Sequence, residues 1–107
     1  MQQSLQGVKV LDLSRVLAGP FAGQILGDLG AEVIKVEVPE SGDTTRGWGP
    51  PYTGGESAYY LCANRNKRSL TLDFRKGRGI LERLVKWADV VLLNLRVDSL
   101  ERQKLTY

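Results

Sequence analysis

Val8-Lys9-Val10-Leu11-Asp12-Leu13, then Pro20-Phe21-Ala22-Gly23-Gln24-Ile25-Leu26-Gly27-Asp28-Leu29-Gly30, then Glu32-Val33-Ile34-Lys35-Val36 is the stretch that decides the fold. The first run is rich in aliphatic and β-branched residues and too short for a helix. Polar Ser14-Arg15 closes it, so it predicts a buried strand. Pro20 suits the first turn of a helix, where a missing backbone N–H does no harm. From there Phe21, Ala22, Ile25, Leu26 and Leu29 recur at helical spacing and predict the stripe that packs on the sheet, with Gly30 as the C-terminal cap. A second strand at residues 32–36 follows almost at once. Residues 8–36 therefore have the length and order of a right-handed βαβ crossover.

Working outward, residues 38–56 hold Pro39, Pro50 and Pro51 with Gly42, Gly47, Gly49, Gly54 and Gly55. That density breaks both helix and ladder and predicts a long irregular loop, of a length usually tied to function. Trp48 and Tyr52 are candidates to pin it. A short helix is expected over residues 56–63. Ser69-Leu70-Thr71-Leu72-Asp73 alternates as a strand does, and Ile80, Leu81, Leu84, Val85 and Trp87 mark a helix over residues 79–88, closed by Asp89. Val90-Val91-Leu92-Leu93 reads as a strand covered on both faces. Strand and helix alternate throughout, which predicts one layered α/β domain with a mostly parallel sheet.

The chain has 107 residues, 42% of them hydrophobic and 25% charged, the composition of a globular protein with one core. Its single cysteine, Cys62, and its lack of histidine exclude an internal disulfide and a Cys/His zinc site, and point to a reducing cytoplasm. Neither a signal peptide nor a membrane-length apolar run is present in the sequence. The net charge of +3 conceals an asymmetry: residues 1–56 carry four Lys/Arg against seven Asp/Glu, and residues 57–107 carry eleven against five. A basic half suggests either an anionic partner or a solvated face.

In open α/β sheets ligands sit beyond the carboxyl ends of the strands, which selects residues 14–19, 37–43 and 94–96. The first of these loops enters a helix N-terminus, where free N–H groups suit an anion, but it lacks the GxGxxG spacing of a dinucleotide site. Glu37 stands where a ribose-binding acid can sit, or is simply solvated. Arg65, Lys67 and Arg68, set among Asn64 and Asn66, form the densest basic cluster and are candidates for phosphate.

Four ordered blocks, residues 7–20 (Gly7-Val8-Lys9-Val10-Leu11-Asp12-Leu13-Ser14-Arg15-Val16-Leu17-Ala18-Gly19-Pro20), residues 29–37, Gly42-Asp43-Thr44-Thr45-Arg46 and residues 64–69, closely resemble the amino-terminal part of family III CoA-transferases, the CaiB/BaiF-like group that includes formyl-CoA and carnitine CoA-transferases. The resemblance implies a Rossmann-like half that is incomplete relative to the full family fold. It implies a reaction in which CoA passes from an acyl-CoA to a carboxylic acid through a catalytic aspartate. Coenzyme A would be a substrate, with no prosthetic group and no metal, and the full-length enzyme would be a homodimer. Carried over residue by residue, the CoA contacts would be Arg15, Val16, Leu17, Ala18, Lys67, Arg68 and Asn94.

The sequence departs from the family pattern at Glu37-Val38-Pro39 and at Leu93-Asn94-Leu95-Arg96, where Asn94 stands without its usual neighbours. The nucleophilic aspartate of the family lies well beyond Asn94, so no catalytic residue is assigned, and Asp12, Asp28, Asp43, Asp73 and Asp89 are read as structural or solvated. The expectation is a CoA-binding portion inactive by itself. The competing readings are a small basic module for nucleotides or nucleic acid, disfavoured by the absence of aromatic strand platforms, and a fragment without function.

Overall fold

A computed structural model describes residues 2–105 of the chain. Four strands, β1 (Lys9–Asp12), β2 (Glu32–Glu37), β5 (Lys67–Thr71) and β6 (Val90–Leu92), form one parallel sheet in the order β5-β2-β1-β6. The register runs from Lys9 opposite Glu32 to Asp12 opposite Lys35, and from Val33 opposite Lys67 to Glu37 opposite Thr71. Helix α1 (Ala18–Asp28) connects β1 to β2, and α3 (Arg78–Trp87) connects β5 to β6. A further short helix, α4 (Val97–Arg102), follows β6. The parallel α/β sheet expected from the alternation of elements is present. Because all four strands point the same way, all four carboxyl ends lie on one edge, and the strand order reverses between β1, which leads by α1 to β2, and β6, which is reached by α3 from β5 on the far side.

Alternation along the strands divides the core. Leu11, Leu13, Val36 and Leu72 share one face with Leu81 of α3, while Val10 and Val33 share the other with Leu26 of α1 and Ala31. Leu11, Leu13 and Leu81 are at most 2% exposed, and each such burial contributes roughly 1.5–3 kcal/mol. The end of α1 closes as expected. Gly30, at φ 106°, lets its own N–H reach Gly27 O and the Ala31 N–H reach Leu26 O, a paired arrangement that a left-handed residue makes possible.

The face of α1 differs from the expectation. The helix begins at Ala18, with Pro20 in its first turn, and it buries Pro20, Gly23 and Gln24. Phe21, Ile25 and Leu29, predicted to pack on the sheet, are 43–50% exposed, and Leu17 joins them at 47%. The reason is the depth of the approach. A Cβ on Gly19 would lie 2.2 Å from Ser14 Cβ, one on Gly23 would lie 3.0 Å from Asp12 Oδ2, and one on Gly27 would lie 2.9 Å from Asn66 O. Three glycines at four-residue spacing thus form the contact stripe, and the larger apolar residues are turned outward.

Residues 38–56, expected to be irregular, contain a 3₁₀ turn (Thr44–Gly47) and a hairpin of β3 (Tyr52–Thr53) with β4 (Glu56–Ser57). Helix α2 (Ala58–Ala63) starts two residues later than predicted because Ser57 caps it, its Oγ accepting from Tyr60 N at 3.3 Å. Trp48 packs edge-on against Tyr59 at 5.1 Å between ring centroids, and Tyr52 Oη donates to Gly47 O. β5 begins at Lys67, two residues before the predicted start, so the strand ends at Thr71 and not at Asp73.

Gly19→Ala should lower stability by about 1–3 kcal/mol, because the new methyl meets a buried side chain that has no room to retreat. The gain in helix propensity of about 1 kcal/mol opposes this and should not reverse the sign. Urea unfolding monitored by circular dichroism measures the difference.

Candidate functional site

On the α1 side of the sheet, strand positions at alternate spacing, from Lys67 at the start of β5 to Asp12 and Glu37 at the ends of β1 and β2, carry charge and not hydrocarbon. Asp12, Lys35, Glu37 and the Lys67 side chain are all buried there. Each is paired. Lys35 Nζ donates to Asp43 Oδ2 at 2.8 Å with both side chains no more than 1% exposed, and Lys67 Nζ donates to Asp12 Oδ2 at 2.7 Å. Arg46 meets both carboxylate oxygens of Glu37 at 2.8 Å and lies 3.9 Å above the Tyr60 ring, donating also to its hydroxyl. Buried charges persist only when paired and hydrogen-bonded in this way, and no buried side-chain polar atom among the described residues lacks a partner.

Burial alone would raise the Glu37 carboxyl, but hydrogen bonds from Arg46, Ser69 and the Asp43 amide outweigh it and hold the group at about 2. For Asp43 burial again acts upward, and the Lys35 ammonium with the Thr45 donors brings the carboxyl below its ordinary value. Burial lowers Lys67, with Asp12 opposing, and burial pushes Tyr60 up to about 12. The Glu37 carboxylate holds Arg46 above its usual range.

This network fixes the loop between β1 and α1. Ser14 N and Oγ both donate to Asp12 Oδ1. Arg15 N donates to Asn94 Oδ1 at 2.9 Å while Asn94 Nδ2 donates to Arg15 O at 2.7 Å. Val16 N donates to Asp43 Oδ2 at 3.3 Å. Side chains from the end of β1, from just past β6 and from the cap of the 3₁₀ turn beyond β2 therefore clamp three successive residues between β1 and β6, where the strand order reverses, the position at which open α/β sheets receive ligands.

Of the residues expected at the site, Arg15, Val16, Leu17, Ala18 and Asn94 are brought together. Asn94 acts on the loop, since both ends of its amide are taken up by the Arg15 backbone. The basic pair is split. Lys67 runs beneath the first turn of α1, and its three donors go to Asp12, Pro20 O and Asn64 Oδ1, so it has none left for a phosphate. Arg68, one position on, lies on the opposite face of the sheet, pairs with Glu32 and lines a shallow groove with Ile80 and Trp87. The physical reason is strand alternation: a loop would have kept the two side chains together, and β5 sends them apart. Arg65 is held at the surface by both oxygens of Asp28, so each cation of the basic stretch that suggested a nucleic-acid surface has a carboxylate partner within the chain. Glu37 is neither solvated nor open to a ribose.

The loop after β5 was missed in the sequence. Asp73 accepts from Arg75 N and Lys76 N, turning residues 72–76 along the same carboxyl edge, where Arg75 and Lys76 are exposed. Placing the strand start at Lys67 was the signal that would have found it. Among the described residues the guanidinium groups of Arg15 and Arg75 have no ion-pair partner. No group of side chains there could hold a metal ion, and no helix there is long and apolar enough to cross a membrane.

Comparison with known proteins gives a consistent result. The model of CoA-transferase family III matches residues 5–107. The chain is 54% identical over 105 residues to human succinyl-CoA:glutarate CoA-transferase, covering 96% of this chain and 24% of that protein. It is 42% identical to formyl-CoA:oxalate CoA-transferase of Rhodopseudomonas palustris, covering 100% of this chain and 26% of that one. A crystal structure of a CAIB/BAIF family protein from Brucella suis superimposes with a TM-score of 0.92 at 50% identity, over 100% of this chain and 30% of that chain. The chain thus spans about a quarter of the length of the curated relatives it matches.

Two measurements check the network. Lys67→Met strands the Asp12 carboxylate in the interior and should destabilise the fold by about 3–5 kcal/mol in urea titrations. Glu37 has its folded value of about 2 below the ordinary 4.5, so its contribution is complete above pH 4.5 and is lost as the pH falls from there toward 2. Asp43 acts in the same direction. Unfolding free energy should therefore decline across that window, and Glu37→Gln should shallow the decline.

Proposed function

The chain belongs to CoA-transferase family III, and on that premise we propose that it is the Rossmann-like, coenzyme-A-holding portion of an enzyme that moves CoA from an acyl-CoA to a free carboxylic acid. Relatives named for succinyl-CoA with glutarate and for formyl-CoA with oxalate support this reaction class. One thioester is broken, one carboxylate is released, and a new thioester forms on the acceptor acid, so charge and atoms balance. Coenzyme A is a substrate here, not a resident cofactor, and a homodimeric whole enzyme in the cytoplasm belongs to the same reading.

The observation that carries the proposal is the clamped loop at residues 14–16, which stands between β1 and β6 where the strand order reverses, with an exposed Arg15 guanidinium that has no ion-pair partner among the described residues. A preset loop beside a free cation suits a long ligand with a charged head. Backbone groups of Val16, Leu17 and Ala18 would line the pantetheine path, and Arg15 with Arg75 would meet the phosphates, while Lys67 has its donors engaged beneath α1 and Arg68 lies on the opposite face of the sheet.

Among the described residues each aspartate is already engaged, Asp98 by an exposed pair with Arg96. Asp12 and Asp43 are buried in ion pairs, Asp28 is held by Arg65, Asp73 by two turn amides, and Asp89 accepts from Lys9 N. A covalent step on aspartate would therefore need a residue outside this portion, and the chain by itself is proposed to bind CoA and not to turn over.

Calorimetric titration with coenzyme A tests this. Binding with one site per chain is expected, weaker for 3′-dephospho-CoA, and Arg15→Ala should weaken it about tenfold, equivalent to about 1.4 kcal/mol. A folded chain that takes up no coenzyme A at millimolar concentration, or that binds RNA with steep salt dependence in its place, would remove the proposal.

A further inference from the structure

Val16 is β-branched and yet sits at φ 73°. That region is open to glycine and costly for a branched side chain, and such outliers persist only where the surroundings over-determine them. Here they do. Val16 follows two residues whose amides are already taken by Asp12 and Asn94, and its own N–H is held by Asp43 Oδ2. Asp43 is 3% exposed and fully engaged: Oδ2 also accepts from Lys35 Nζ, and Oδ1 accepts from Thr45 N and Oγ1 at 2.9 Å. A carboxylate so enclosed has no surface to offer a ligand. Whatever it does for binding it does through the backbone of Val16.

We propose that Asp43 is a positioning residue for coenzyme A recognition, holding Val16 in its left-handed conformation and thereby setting the course of the backbone into Leu17 and Ala18. The inference rests on the reading of residues 15–18 as the CoA loop and adds to it a residue that the sequence assigned to no binding role. Two features make Asp43 suited to the task. It lies at the head of the 3₁₀ turn and caps the Thr45 N–H, so its backbone is fixed independently of the loop it holds. Its charge is balanced by Lys35 from the middle of β2, so the hold on Val16 is anchored to the sheet and not to a mobile surface group.

The test uses a rescue. Asp43→Asn keeps the shape of the side chain but weakens the hold, and coenzyme A affinity measured by calorimetry on the folded variant should fall about tenfold. Adding Val16→Gly to Asp43→Asn should then recover much of the loss, because glycine takes a positive φ without being held. A role of Asp43 limited to neutralising Lys35 predicts no recovery, and that result would overturn the proposal. Val16→Pro provides a second arm that leaves the Asp43–Lys35 pair intact, which matters if Asp43→Asn does not fold. Proline fixes φ near −65° and removes the N–H, so affinity should drop at least tenfold in a protein whose circular dichroism is unchanged; affinity equal to that of the parent chain would refute the inference. Failure of the parent chain to bind coenzyme A overturns the functional reading itself, and it is distinguished from failure of the positioning role because the parent is measured first.

Discussion

The Lys35–Asp43 pair is the contact on which the rest of the molecule depends. It joins the middle of the second strand to the turn beyond that strand's end, and the same aspartate reaches across to the amide of Val16 in the loop after the first strand. Two unlike charges with almost no access to water attract strongly, and either one alone would be intolerable there. The pair therefore works as a condition on folding: the polar face of the sheet closes only if the loop containing Asp43 arrives in one position. That position then dictates where Thr45, Arg46 and Val16 lie.

The two faces of the sheet are built on different physics. Toward α3 the strands present Leu11, Leu13, Val36 and Leu72, and cohesion there is non-directional burial of hydrocarbon. Toward α1, beyond Val10 and Val33, the strands present charge, and cohesion depends on hydrogen-bond direction. A surface of the first kind tolerates exchange of one aliphatic residue for another. A surface of the second kind does not, and it is the one adjoining the loop proposed to meet the ligand. Rigid polar pairing beneath a binding loop gives the loop a fixed shape without placing a charge in the ligand's way.

Much of this was legible in the residues. The β1-α1-β2 succession, the closing glycine at Gly30 and the parallel sheet follow from length, spacing and strand composition. What hydropathy could not reveal was the side of α1 that packs, since Phe21, Ile25 and Leu29 look like a core stripe and the true contact is written in glycine, which has no side chain to register. Lys35 passed unremarked within a strand and Lys67 stood among the candidates for phosphate, because a lysine announces its charge and not its partner. The partners lie at Asp43 and Asp12, and in the second case they are brought together only by the register of three strands. The neighbouring Lys67 and Arg68 looked like one cluster until β5 was seen to start among them, and the same early start hid the turn that carries Arg75.

Neither border strand of the sheet, as far as the described residues go, is paired on its outer side: β5 is bonded only to β2, and β6 only to β1. Peptide groups along those two flanks point away from the domain with their bonding capacity to water alone. A polypeptide four times as long, such as the relatives possess, can therefore widen this platform at either margin without altering a single contact at its centre. The clamped loop leaves the inner strand β1 and is held on one side by Asn94, just past the border strand β6, so growth at the β5 margin would leave it untouched while growth beside β6 would come up against it.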